Sequence, residues 1–293
     1  MPDSLPQGIP WLRFKEFISP AADRFSILKE TLDEAALDYS ILPITGNRHF
    51  FVAPPEADRS RHPTILVAHY DRAKNSPGAN DNSAGVFLLL ETAAKLKKDG
   101  EINWAIIFTY KEELETGESV QAQGSYTLAA GLRNLKLENS RIFSFDACGA
   151  GDTLIISTTL DYLMKREGRG DKLRESMLEL RNFALDTARD LGMAKVLLAP
   201  TPFSDDAGFF RAGLAAQAIT MLPSAECIAL VSELRRNPEF TNVLISTETP
   251  QASHLKSFPE TWRWLNTPGD SYLRLTPQNF RTVVRFAEAL CRG

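Results

Sequence analysis

The sequence predicts an α/β fold: a single three-layer αβα domain with a mixed, mostly parallel central sheet. Three observations point there. Apolar stretches of strand length alternate with amphipathic stretches of helix length along most of the chain. The runs at residues 64–68 and 102–110 are continuously apolar instead of alternating, as in strands buried on both faces. No composition break, internal repeat or low-complexity segment divides the 293 residues, so one domain is expected over 1–293.

Taken in order, residues 1–19 read as irregular, with Pro2, Pro6, Pro10 and Pro20 as breakers. Phe25, Leu28, Leu32 and Ala35 recur at helical spacing and predict an amphipathic helix over 21–36. Strands at 38–43 and 49–53 flank the turn signal Gly46-Asn47. This N-terminal helix and hairpin (1–60) are expected to pack on the main body. His49 reads as structural or surface, and His62, before Pro63, as exposed.

The strand at 64–68 leads through a polar loop to a helix at 84–98 that stops at Gly100. The strand at 102–110 follows, then a polar insertion at 114–123 and a helix near 125–132. Strands at 141–145 and 153–157 flank the Gly149–Gly151 turn. A long helix at 172–191, a strand at 195–199, a short helical turn after Phe203, a strand at 214–221 and a helix at 224–235 come next. Residues 237–257 read as a flexible loop or lid. An amphipathic helix at 276–290, with Phe280, Val283, Val284 and Phe286 inward, closes the chain.

Composition excludes several classes. Hydrophobic residues make up 43% and charged residues 24%, ordinary for a folded globular chain. A net charge of -4 leaves no electrostatic footprint for nucleic acid. The basic run Lys165-Arg166-Glu167-Gly168-Arg169 reads as a solvated loop. Cys148, Cys227 and Cys291 form neither a metal knuckle nor a disulfide framework, which predicts a reducing compartment. The first residues carry an early acid and prolines and lack the apolar core of a secretory signal. No apolar run approaches the roughly 18 residues of a membrane helix. A cytoplasmic location is therefore expected. There is no GxSxG elbow and no P-loop, and Gly149-Ala150-Gly151 lacks the spacing of a dinucleotide fingerprint.

The chemistry-bearing groups sit where predicted strands end. His69 and Asp71 follow one strand, with Asp81 in the loop beyond; Glu112 and Glu113 follow a second; Asp146 follows a third. In an open α/β sheet, ligands bind outside the carboxyl ends of the strands. That many acids gathered at one edge would repel one another unless a cation neutralised them. Imidazole nitrogen with carboxylate oxygen suits Zn²⁺, with Mn²⁺ or Co²⁺ as alternatives.

His69-Tyr70-Asp71, then Gly78-Ala79-Asn80-Asp81-Asn82-Ser83-Ala84-Gly85, then Glu112-Glu113 and Asp146 together resemble the zinc aminopeptidases of the M28 type. The resemblance covers most of the chain after residue 60 and implies a zinc-exopeptidase-like fold. It implies that His69 binds one metal and that Asp71 orients His69. Asp81 would bridge two metals and be followed by a cis peptide bond. Glu112 would be the general base, Glu113 a ligand of one metal and Asp146 a ligand of the other.

The chain departs from the family's pattern near its C-terminal end. Where the family carries a last histidine ligand, the segment Trp264-Leu265-Asn266-Thr267-Pro268-Gly269-Asp270 has Asn266. One metal, a weak second site, a different metal, or rescue by His254 are the outcomes left open, with a weakened second site favoured. Asp205 and Asp206 stand where the family has a Ser-Asp-His segment; Asp205 is equally an N-cap, and Asp206 is placed to meet a substrate amine.

The resulting expectation is a metallo-aminopeptidase acting on peptides, holding one or two Zn²⁺ ions, with Glu112 and Asp71 as catalytic groups. The alternatives are a non-catalytic peptide- or protein-binding relative and a glutaminyl-cyclase-like acyltransferase.

Overall fold

The computed structural model describes residues 5–57, 61–168, 170–246 and 252–293. Its first described segment is helical, against the irregular reading: a 3₁₀ turn over Ile9–Arg13 runs into α1 (Phe14–Phe17). Pro10 lies in the first positions of that turn, where a missing N–H costs nothing, so it starts the helix instead of breaking it. Trp11, Phe14 and Phe17, three residues apart, are all buried. The Phe14 and Phe87 rings meet edge-on at 5.1 Å, and Trp11 stacks on Phe280 at 4.9 Å.

Helix α2 (Arg24–Glu34) begins at Asp23, whose carboxylate accepts from the Ser26 N–H. Strands β1 (Tyr39–Ile44) and β2 (Asn47–Val52) form the expected hairpin. They are followed by β3 (Thr64–His69), a wide helical turn over Ala79–Ala84, α3 (Gly85–Lys98) and β4 (Trp104–Thr109). Next come α4 (Gly124–Asn134), β5 (Ile142–Phe145), β6 (Thr153–Ser157), α5 (Thr159–Glu167) and α6 (Asp171–Asp190). The chain continues through β7 (Val196–Ala199), α7 (Asp205–Arg211), β8 (Gln217–Leu222) and α8 (Ser224–Arg236). It ends with α9 (Phe240–Leu244), α10 (Ala252–Leu255), α11 (Glu260–Trp264) and α12 (Phe280–Arg292).

Four corrections to the sequence reading follow. Lys165, Arg166 and Glu167 form the last turn of α5, closed by Gly168 in the left-handed region, and are no loop; Arg169 lies outside the described residues. The stretch read as a loop at 237–257 contains α9, whose Phe240, Thr241 and Leu244 are buried, and α10; residues 247–251 lie outside the described residues. The predicted helix at 276–290 starts later: Pro277–Asn279 form a 3₁₀ turn and α12 begins at Phe280. Helix α11 had no counterpart in the sequence reading.

Among the described residues, eight strands form one mixed sheet in the order β1-β2-β4-β3-β5-β8-β6-β7. The central run β4-β3-β5-β8 is parallel throughout, while β2 joins β4, and β6 joins β8, in antiparallel sense. Every residue of β3 and β4 is buried, which explains their unbroken apolar sequences. Successive side chains serve opposite layers. Leu66, Ala68, Ile106 and Phe108 pack with α3 and α12, whereas Ile65, Val67, Ala105 and Ile107 pack with Leu128 and Leu132 of α4 and Phe209 of α7.

Among the described residues no helix is long and apolar enough to cross a membrane. From β3 the chain crosses to β4 on one side and later returns to place β5 on the other. That reversal opens a crevice at the carboxyl ends of β3 and β5, a topological switch point.

Candidate metal centre

The crevice gathers the predicted groups. His69 is the last residue of β3 and is fully buried. Its Nε2 lies 3.1 Å from Asp81 Oδ1, 3.5 Å from Asp146 Oδ1 and 3.9 Å from Glu112 Oε2. On the far side of the ring, Nδ1 lies 3.5 Å from Asp71 Oδ1. Asp71 is itself fixed, because its two oxygens accept the backbone N–H groups of Glu112 and Glu113 at 3.2 and 3.1 Å. Glu112 Oε1 accepts from Gln123 Nε2 at 2.9 Å.

Asp81 reaches the cluster because its loop is held from both sides. The peptide bond Asp81–Asn82 is cis, as the resemblance implied. Asn82 Nδ2 donates to the carbonyl of Phe145 at the end of β5, and Asn80 Oδ1 accepts from the Gly149 N–H. Asp270 accepts the N–H groups of Asn80 and Asp81 with one oxygen each, at 2.9 and 3.0 Å. Gly78 turns the chain at a φ of 60°, where a β-carbon would lie 2.6 Å from the Asp81 carbonyl oxygen.

Beneath the loop, Arg24 of α2 is buried and donates to the carbonyls of Phe17, Tyr70, Asp71, Pro77 and Gly78 and to Ser83 Oγ, at 2.7–3.4 Å. Burial, with Arg72 adding repulsion, pushes the Arg24 pKa down to about 9, still charged at neutral pH.

The electrostatics are those of crowded acids. Burial raises Glu113 to about 9, with Asp81 adding to it, and burial followed by Asp146 raises Asp81. Glu112 is raised well above its ordinary value, first by burial and then by Glu113 and Asp146 against the pull of His69. For His69, burial opposes the charge, but Glu112, Asp146, Asp71 and Asp81 outweigh it and raise the pKa well above the usual imidazole range.

The donor set fits a divalent cation. Buried His69 Nε2 and Asp146 Oδ1 have no hydrogen-bond partner although acids surround them. Ligand atoms of His69, Asp81 and Asp146 lie within 4.8 Å of one another, as do those of His69, Glu112 and Glu113. Imidazole nitrogen and carboxylate oxygen are both zinc donors.

The remaining sequence candidates divide. Asn266 stands at the exposed rim and its carboxamide reaches Glu113 and Asp81. His254, in α10, belongs to none of the metal-competent clusters found among the described residues. Asp205 and Asp206 open α7 and are buried. Asp205 accepts from Thr109 Oγ1 at 2.6 Å, and burial raises its pKa to about 6. Asp206 accepts from the Ser204 N–H and is pushed up to about 8 by burial.

Asp206 gives a pH prediction. Its folded pKa of about 8 lies above the unfolded value of about 3.9, so the folded chain binds the extra proton between those limits. Stability is therefore lost as pH rises through that window. Asp206→Asn should flatten the decline, which approaches about 1.4 kcal/mol per pH unit for one such group. Urea unfolding of chelated protein at pH 5 and pH 8 measures it; parallel losses in parent and variant would refute the assignment.

Sequence reasoning missed three groups that build the site. Asp270 lay in the quoted C-terminal segment but was given no role. Arg24 lay in the predicted helix over 21–36 and was given no role. Gln123 sat in a polar insertion with nothing to connect it to Glu112.

The model of peptidase family M28 matches residues 52–290. No curated protein matches the chain in sequence. Among solved structures, a leucine aminopeptidase precursor from Bacteroides thetaiotaomicron is 15% identical, with a TM-score of 0.65 and 98% of each chain covered. A glutaminyl cyclase from the same organism, bound to N-acetylhistamine, is 17% identical, with a TM-score of 0.61 over 98% of this chain and 99% of that one. A zinc aminopeptidase from Bacillus subtilis is 20% identical, with a TM-score of 0.50 over 83% of this chain; the present chain spans about half of its length (49%). At these identities the likeness is one of fold, and it joins aminopeptidases and cyclases alike.

Proposed function

Because the chain belongs to peptidase family M28, we propose that it is a metal-dependent aminopeptidase, hydrolysing the N-terminal residue from peptides. The observation that carries this reading is His69 Nε2, buried without a hydrogen-bond partner and faced by Asp81, Asp146 and Glu112. His69, Asp81 and Asp146 would hold the ion, with Zn²⁺ favoured by the donor set and Mn²⁺ or Co²⁺ as substitutes. When bound, the ion lowers the pKa of water to about 7 and polarises a carbonyl oxygen.

The chain's own residues supply the rest. Asp71, with Oδ1 3.5 Å from Nδ1, would orient the His69 ring so that Nε2 faces inward, fixing the tautomer and raising the basicity of the ring. Glu112 takes the proton of the attacking water and hands it to the departing amine. Gln123 keeps Glu112 turned towards the crevice through the 2.9 Å bond. The acidic groups at the mouth of the crevice, Glu113 among them, would receive the α-amine of a substrate by hydrogen bonding.

The test is a substrate pair. An aminoacyl anilide with a free amine should be hydrolysed in the presence of Zn²⁺, Mn²⁺ or Co²⁺, and its N-acetylated counterpart should not. Chelation should abolish turnover and re-addition of the ion restore it. Inactivity with every ion would sink the reading. Pyroglutamate release from a glutaminyl peptide, without anilide hydrolysis, would favour the cyclase alternative.

A further inference from the structure

Asp81 faces two different neighbours. Its Oδ1 points at His69 Nε2, 3.1 Å away, while Oδ2 points at the Asn266 side chain. With the carboxamide turned so that its NH₂ faces the acids, Asn266 donates to Glu113 Oε1 at 2.7 Å, to Glu113 Oε2 at 3.2 Å and to Asp81 Oδ2 at 3.3 Å. The opposite orientation would set an amide oxygen against three carboxylate oxygens, acceptor against acceptor.

The spacing matters as much as the polarity. Two donors on one tetrahedral zinc, each at about 2.0–2.2 Å, stand about 3.3 Å apart with the ion between them. The contacts of 3.2 Å to Glu113 Oε2 and 3.3 Å to Asp81 Oδ2 match that spacing, but a nitrogen 2.7 Å from Glu113 Oε1 is in direct hydrogen-bond contact. The amide is also well placed to stay there. Asn266 has a φ of 61°, a left-handed conformation that Asn tolerates better than most residues. The turn after it is closed by the Thr267 N–H on the Trp264 carbonyl and by the Asp270 N–H on the Thr267 carbonyl. Asp270 in turn is tied to Asn80 and Asp81.

The His69 side differs. There Nε2 of His69 and Oδ1 of Asp146, 3.5 Å apart, are buried without hydrogen-bond partners among the described residues.

We infer that the centre takes a single divalent ion, on His69, Asp81 and Asp146, and that the Asn266 carboxamide closes the Glu113 side by hydrogen bonding in place of a second ion. This rests on the metallopeptidase reading and narrows it. Glu113 is then no metal ligand; it is an anchored carboxylate at the rim of a mononuclear centre, open to the α-amine of a substrate. Of the outcomes the sequence left open, this inference takes the single metal over a weakened second site.

Metal counting tests the inference without relying on turnover. Purified full-length chain, equilibrated with excess Zn²⁺ and freed of loose ions by gel filtration, should carry one zinc per chain by plasma emission. Glu113→Gln should still carry one, Asp146→Asn should carry none, and Asn266→His should carry two. Near-native thermal melting of Glu113→Gln and Asn266→His, both mild changes at the rim, guards against loss by unfolding. Two zinc ions on the parent chain would overturn the inference and leave the metallopeptidase reading standing. So would loss of the ion in Glu113→Gln together with its retention in Asp146→Asn, which would put it on the other side. An Asn266→His count that stays at one would overturn the claim that this amide closes the site. A parent chain that binds no zinc at all would remove both the inference and the reading beneath it.

Discussion

Glu112→Gln is expected to lower kcat on a free-amine anilide by about 10²–10⁴-fold, the usual worth of a positioned general base. The change is nearly isosteric, and the amide oxygen can still accept the 2.9 Å bond from Gln123. Ion content and folding should therefore stay at parental levels, and KM should change much less than kcat. That split separates a proton-transfer role from a ligand role. A fall below tenfold, with the ion retained, would mean that Glu112 is not the base and that another carboxylate of the cluster serves.

The largest expected effect on stability comes from a residue that touches no substrate. Arg24→Met should destabilise the fold by about 3–5 kcal/mol, since each buried acceptor left without a donor costs about 1–3 kcal/mol. Five main-chain carbonyls and the Ser83 hydroxyl now share its guanidinium. A thioether fills similar space but donates nothing, so buried acceptors would be left unsatisfied. The urea midpoint measures the loss. Zinc affinity should fall with it, because Tyr70, Asp71, Pro77, Gly78 and Ser83 belong to the loops that carry Asp71 and Asp81. A cost under about 1 kcal/mol would show that the loops hold themselves.

How far the sequence spoke for itself depends on the kind of signal. The central strands were legible because burial on both faces demands unbroken apolar runs, and 64–68 and 102–110 have them. His69, Asp71, Glu112, Glu113 and Asp146 were legible for the complementary reason: a polar group straight after such a run sits at the sheet's carboxyl edge. The short helices were harder. In α1 and the turn before it, Trp11, Phe14 and Phe17 carry a three-residue period that prolines masked. In α9 the five residues are too few to show a period at all.

The supports of the site were hidden for a different reason. Arg24 and Asp270 act on backbone groups far along the chain, carbonyls for the one and N–H groups for the other, and a backbone group leaves no mark on the sequence. Asn266 was visible as a departure from a pattern. Its meaning came from a distance, 2.7 Å to Glu113, that no spacing of letters encodes.

The clamp between Asp270 and the amides of Asn80 and Asp81 also sets an order of assembly. Its two partners lie 190 and 189 residues apart in the chain. During synthesis, every side chain proposed to hold the ion or move a proton is made well before the carboxylate that fixes the Asp81 loop. A nascent chain ending short of residue 270 therefore carries the full set of ligands with the Asp81 loop lacking this support. Tight loading of the proposed ion should therefore wait for residue 270, whose carboxylate acts as the catch on a site whose proposed ligands were made long before it.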